Sequence, residues 1–187
     1  MNLHIIAGQF KGRALRAPKT SFTRPTQGML RESVFNICQN AIQEASFLDL
    51  FAGSGAMGLE ALSRGAKHAT FVESDRNASA SIRENIAILQ VASQTTLLSC
   101  DARIAIQRLS TPFDIIYIDP PYETSALPFV AMLLERSLLA KSGFLFLEEQ
   151  SRSSHSSPQF PPLVWINSRR FGDALLHQYR SSDTKTL

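Results

Sequence analysis

"FLDLFAGSGAMGLEAL", residues 47–62, decides the fold. Residues 47–51 read as a buried strand. Gly53, Gly55 and Gly58 follow in G-x-G-x-x-G spacing, and a helical run begins near residue 57. Glycines so placed allow a tight turn, close approach of a ligand to the backbone, and close helix packing. The next strand ends at Glu73, about 20 residues on, where an acid can accept both hydroxyls of a ribose. "SCDA", residues 99–102, sets Asp101 after a third strand, where a carboxylate can bond an adenine amine. Three sites at the carboxyl ends of three successive strands describe an adenosine cradle.

Outward from this unit, strands are expected near 47–51, 69–73, 95–99, 113–118 and 143–148. Helices are expected near 57–64, 77–89, 101–109 and 126–140. Alternation of this kind argues a parallel sheet wound on both faces. Two more strands, near 163–168 and 174–180, supply an antiparallel ending. The expectation is a Rossmann-like, mostly parallel, seven-stranded α/β sheet. Upstream, residues 3–7 and 13–17 flank "GQFKGR" and suggest a hairpin. "RPT", residues 24–26, opens a helix expected to reach about Ala45, with Leu30, Val34, Ile37 and Ala41 at helical spacing. The basic hairpin and helix of residues 1–45 and the catalytic domain of residues 46–187 are expected to form one compact unit.

A second stretch, "FDIIYIDPPYET", residues 113–124, ends a core strand on an acid, two prolines and a tyrosine. An aromatic amine is a poor nucleophile because its lone pair is delocalised into the ring. Two acceptors on its two N–H groups would hold the nitrogen and turn the lone pair toward an incoming carbon. The Asp119 carboxylate and the Pro120 carbonyl can serve. Pro120 and Pro121 restrict their own φ and the residue before each, which stiffens the pair. Tyr122 can stack on the flat ring that carries the amine. A dinucleotide such as NAD also fits the glycines but leaves this motif without a role. S-adenosylmethionine gives it one, and Asp49 is then suited to its amino group. Phe51 and Ser54 in the turn, Ala102 beside Asp101, and Asp119 itself complete the expected cofactor contacts.

Composition sets the outer limits. The chain has 187 residues, 44% hydrophobic and 19% charged, an ordinary globular balance for one sizeable core. No apolar run approaches the roughly 20 residues of a spanning helix, and "MNLHIIAGQFKGR" lacks a secretory apolar region. Two cysteines, Cys38 and Cys100, offer no metal or disulfide framework. A cytoplasmic monomer without metal is the expectation. Charge is uneven: residues 1–40 carry six Lys/Arg and one acid, residues 41–150 eight against thirteen, residues 151–187 five against two. An acidic centre lies between basic ends, as for a protein whose flanks grip a polyanion.

"DPPY" together with "LDLFAGSGAMGLEALSRGA" resembles the class I S-adenosylmethionine-dependent methyltransferases that act on exocyclic amines. "IIAGQFKGRALRAP", "TRPTQGMLRESVFNI" and "RRFGDALLHQYR" narrow the resemblance to the RsmD type. Members of that family methylate N2 of a guanine in bacterial small-subunit ribosomal RNA (position 966 in the usual RNA numbering). The resemblance implies S-adenosylmethionine as cofactor, ribosomal RNA or the small ribosomal subunit as partner, and RNA contacts from Lys11, Arg13, Arg16 and Arg24. Arg31 could reach the methionine carboxylate or an RNA phosphate. "QSRSSHSSPQFPP", residues 150–162, matches no family pattern and reads as a loop, with His155 in solvent. Three rivals stay open: a DNA adenine-N6 methyltransferase, a protein glutamine methyltransferase, and a non-catalytic RNA-binding protein. The first lacks a target-recognition domain here, and the basic flanks argue against the second. A mere binder would need neither Glu73 nor the motif at residues 119–122.

Overall fold

The computed structural model describes residues 3–18, 25–121, 124–150 and 159–181. Arg24, Tyr122 and His155 lie outside them. Seven strands form one sheet: β1 Ser46–Leu50, β2 His68–Val72, β3 Thr95–Leu98, β4 Phe113–Ile118, β5 Leu139–Gln150, β6 Leu163–Phe171 and β7 Ala174–Ser181. Their order is β3-β2-β1-β4-β5-β7-β6. The first five run parallel, and β7 is antiparallel to both β5 and β6. The helices are α1 Pro25–Ile37, α2 Ala56–Ser63, α3 Arg76–Leu89, α4 Ala102–Arg108 and α5 Leu127–Glu135.

Alternation along the strands divides the core. Phe47, Phe71, Ile115, Tyr117 and Phe146 pack on one face with α1 and α2; Leu48, Val72, Ile116, Ile118 and Leu147 pack on the other with α4 and α5. Strands buried on both faces read as continuous apolar runs, as "FDIIYI" does.

Three expected boundaries move. α1 ends at Ile37 rather than near Ala45, because Ile42 and Ala45 reach the core from turns whose apolar spacing imitates a helix. α5 stops at Glu135 rather than 140: Ser137 takes a left-handed φ of 54°, and the Leu138 N–H donates to Leu133 O at 2.9 Å. That bond closes the helix in the Schellman manner without a glycine to announce it. β5 therefore begins at Leu139, with an irregular lead-in before Phe144 pairs regularly with Ile115. The amino-terminal hairpin forms as a single antiparallel bridge, His4 with Ala14, rather than as two full strands.

That hairpin is tied down by a buried acid. The fully buried Glu60 carboxylate of α2 accepts the Ile6 N–H at 2.8 Å, the Ala7 N–H at 2.9 Å and Arg64 Nε at 2.8 Å. Arg31 Nε of α1 lies 3.6 Å away. Glu60→Gln leaves two arginines short of a counter-charge, and breaking a buried pair costs about 3–5 kcal/mol. The variant is expected to unfold at lower denaturant, with faster hydrogen exchange at the Ile6 and Ala7 amides.

Candidate active site

The site lies where β1, β4 and β5 end. Asp49 is one residue before the end of β1, and its buried Oδ2 accepts the Gly58 N–H at 3.0 Å. Period two places Tyr117 and Asp119 on the same face as Asp49, since Asp49 pairs with Tyr117 in register. Ile118 pairs with Leu147, so Asp119 and Glu148 come side by side one residue further on. Three carboxyl groups and a phenol thus converge from three adjacent strands. The Tyr117 hydroxyl donates to Glu148 Oε2.

The turn after β1 is built for close approach on one side only. Phe51 and Gly53 adopt left-handed φ of 69° and 54°, which bends the chain out of the sheet. A Cβ on Gly53 would meet nothing within 4 Å, whereas one on Gly58 would lie 2.3 Å from Phe71 Cε1. Gly53 therefore faces open space, and Gly58 lets α2 sit against β2. Glu73, just past β2, accepts the Gly53 N–H at 2.8 Å and the Asp75 N–H at 2.8 Å. Asp101 caps α4 by accepting the Arg103 N–H at 2.8 Å. Asn85 of α3 donates to Ser54 O at 3.0 Å and to Arg16 O at 2.9 Å, which joins the turn to the hairpin exit.

Two adjoining cavities follow. One, of about 180 Å³, is lined by Arg31, Asp49, Gly53, Ser54, Tyr117 and Met57 among others. The second, of about 460 Å³, is lined by Glu73, Asp101, Arg103, Pro120, Pro121 and Phe129 among others. Gln27, Phe51, Asp119 and Glu148 border both. The geometry brings together Asp49, Phe51, Gly53, Ser54, Glu73, Asp101, Asp119, Pro120 and Pro121. Gly55 and Gly58 support the turn from behind, and Ala102, the first residue of α4, is buried in the core. Lys11, Arg13 and Arg16 are exposed on the hairpin, where Arg13 Nη2 donates to Ile88 O at 3.1 Å. Arg31 is not a surface residue: it is 6% exposed, and its Nη2 donates to His4 O at 2.8 Å.

Sequence reading missed Tyr117, Glu148, Gln27 and Asn85. For Tyr117 the signal was the period-two step back from Asp119; Glu148 is placed only by the β4–β5 register.

Burial dominates the electrostatics. It pushes Asp49 up to about 7, against the Gly58 N–H, and the Glu73 charge adds to the rise. Asp119 is raised well above the usual carboxylate range by burial, then by Glu148 and Asp49. Burial also raises Glu148, opposed by the Tyr117 hydrogen bond. Burial lowers Arg31, with Glu60 opposing.

The sheet order, with an antiparallel strand slotted between the fifth and sixth, is that of the Rossmann-like S-adenosylmethionine-dependent methyltransferases. The solved structure "Putative methyltransferase yhhF from Escherichia coli" superposes with a TM-score of 0.88 at 31% identity, over 98% of this chain and 100% of that one. The solved structure "Crystal structure of SMU.776, a putative methyltransferase complexed with SAH" shares the fold at a TM-score of 0.64 and 15% identity, over 84% of this chain and 50% of that one. Residues 3–180 match the family described as Conserved hypothetical protein 95. Ribosomal RNA small subunit methyltransferase D of Escherichia coli strain K12 is 38% identical over 149 residues, 79% of this chain and 75% of that one. The chain belongs to this family, that of the ribosomal RNA small subunit methyltransferase D proteins.

An acid raised in the folded state opposes folding once it must ionise. Below about pH 4 Asp49 is protonated whether folded or not. Between about 4 and 7 only the unfolded chain releases the proton, so stability falls as pH rises through that window, by about 4 kcal/mol at most. Asp49→Asn is therefore expected to be more stable than the parent at pH 8. The difference should shrink toward pH 4 in denaturant titrations.

Proposed function

We propose that this protein transfers the methyl group of S-adenosylmethionine to the exocyclic N2 amine of a guanine in bacterial small-subunit ribosomal RNA. The observation that carries the reading is the meeting of the Asp119-Pro120-Pro121 strand end with the Gly53 turn across two continuous cavities. The donor set fits the cofactor. Glu73 suits the ribose hydroxyls, Asp101 the adenine amine, and the buried Asp49 carboxylate the cationic amino group. Phe51 and Ser54 border the same space. Arg31, buried and lining the smaller cavity, suits the methionine carboxylate better than an RNA phosphate.

S-adenosylmethionine supplies a methyl group on a positively charged sulfur. The chain supplies position. The Asp119 carboxyl and the Pro120 carbonyl accept the two N–H bonds of the target amine and turn its lone pair toward the cofactor site. Pro120 and Pro121 restrict the backbone that carries these acceptors. Tyr122, outside the described residues, stacks on the base. A cation seated among Asp49, Asp119 and Glu148 favours their ionised forms and relieves their mutual repulsion. Residues 1–45 act as the RNA-contacting part of the same unit, with Lys11, Arg13, Arg16 and Arg24 meeting phosphates. The reading carries with it a cytoplasmic setting, a monomer as the acting unit, and ribosomal RNA or the assembled small subunit as partner.

The decisive experiment is mass mapping of small-subunit RNA from cells lacking the gene. One guanine should lose a methyl group and regain it when the parent gene is restored; an unchanged map refutes the proposal. Asp119→Ala should fail to restore the group. In purified form that variant should lose part of its cofactor affinity with the Asp119 charge, while turnover at saturating cofactor falls by orders of magnitude.

The hairpin gives a separate prediction. Replacing Lys11, Arg13 and Arg16 together by Ala should weaken RNA binding and leave cofactor affinity in place. Three lost phosphate contacts should shallow the salt slope by roughly 2, at about 0.7 per contact on single strands. Titrations of binding against salt will measure it.

A further inference from the structure

We infer that Glu148 makes the target pocket select guanine, by accepting a hydrogen bond from N1–H beside the clamped N2 amine. The inference rests on the guanine-N2 reading above and deepens it. Its geometric basis is the parallel register of β4 and β5, which puts Glu148 next to Asp119 on the same sheet face. Both residues border both cavities. The Tyr117 hydroxyl occupies Oε2, and among the described residues Oε1 makes no hydrogen bond. A phenol that donates to one oxygen favours the carboxylate, a group that only accepts.

The chemistry of the bases turns that acceptor into a filter. In guanine the N2 amine has a donor, N1–H, as its ring neighbour. In adenine the N6 amine stands beside the lone pair of N1, and in cytosine the N4 amine stands beside the lone pair of N3. A glutamine amide has a carbonyl oxygen there. A carboxylate alongside the amine clamp therefore gains a hydrogen bond from guanine and meets an opposing lone pair in each alternative. A site built to bond a particular group discriminates strongly against analogues that lack it, because its own buried polar atom is left unpaired.

The test compares guanosine with 2-aminopurine at the target position of a small-subunit RNA assembled from ligated segments. 2-Aminopurine keeps the exocyclic amine but has a lone pair at N1. The parent protein is expected to favour guanosine in kcat/KM by about 10- to 100-fold, the range of one hydrogen bond to a charged group. Glu148→Gln keeps an acceptor for Tyr117 and turns an N–H toward the base. Its preference should fall at least tenfold, to parity or reversal. Glu148→Ala should come to near parity. Each ratio is taken within one preparation, so a reduced folded fraction cancels. Equal use of both bases by the parent, or a parental ratio in both variants, overturns the assignment. Absence of transfer to guanosine by the parent overturns the proposed reaction, and this inference with it.

Discussion

One buried carboxylate binds the amino-terminal segment to the sheet. Glu60 lies on α2, the helix that begins at the glycine turn, and it accepts two successive amides of the hairpin. Through its charge it also holds Arg64, whose guanidinium stacks 5.1 Å from the Phe35 ring of α1, and it approaches Arg31. Hairpin, α1 and α2 thus share one electrostatic centre. A buried ion network of this kind is a weak source of net stability, but its loss leaves charges stranded. Here it fixes where α1 lies, and α1 supplies Gln27 and Arg31 to the cavities. Asn85 repeats the coupling on the other side, with one amide bonded to both the glycine turn and the hairpin exit. In the proposed reaction, the segment that meets RNA and the turn that meets cofactor are one mechanical body.

Three acidic side chains at one sheet edge conflict with stability alone. Burial raises the proton affinity of Asp49, Asp119 and Glu148, the other two raise Asp119 further, and the only nearby buried cation, Arg31 among the described residues lining the smaller cavity, is itself held back by desolvation. Packing gains nothing from such a cluster. Local choices that oppose stability concentrate where function needs them. A cationic small molecule answers the conflict, since it supplies the charge that the fold withholds.

How much of this was legible depended on whether the signal was local. The glycine turn, Glu73, Asp101 and Asp119 are each marked by neighbours in sequence, and each lies just past the carboxyl end of its strand. Gly65 follows α2 with φ 105°, and the expected helix end falls within one residue of the observed one. Ser137 closes α5 in the same conformation without a glycine, and there the expected end is five residues too late. Tyr117 reads as one more core residue in an apolar run, and Glu148 as a solvated acid at a strand end. Only the pairing of β4 with β5 brings the two together, and sequence does not state register across a 20-residue crossover. Arg31 fails for a related reason. Its burial depends on the hairpin folding back over α1 and α2, a long-range contact that helical spacing cannot reveal.

The charge pattern acquires a direction once the fold is known. Basic residues of the hairpin are exposed, while Asp49, Asp119 and Glu148, three acids of the centre, line a recessed cleft. At physiological salt, fields between exposed charges fade over about 8 Å, so in the proposed reaction a phosphate senses mainly the hairpin cations nearest it. A phosphate that moved into the cleft would be repelled by the acids. A neutral base has no such barrier, and in the proposed reaction a base with N–H groups on its edge donates hydrogen bonds to Asp119 and Glu148 as it enters. In the proposed reaction the same division of charge keeps an RNA backbone outside and admits a base turned out of it. Affinity and selectivity then come from different charges: the hairpin cations govern how tightly any RNA binds, and the recessed acids govern which base can react.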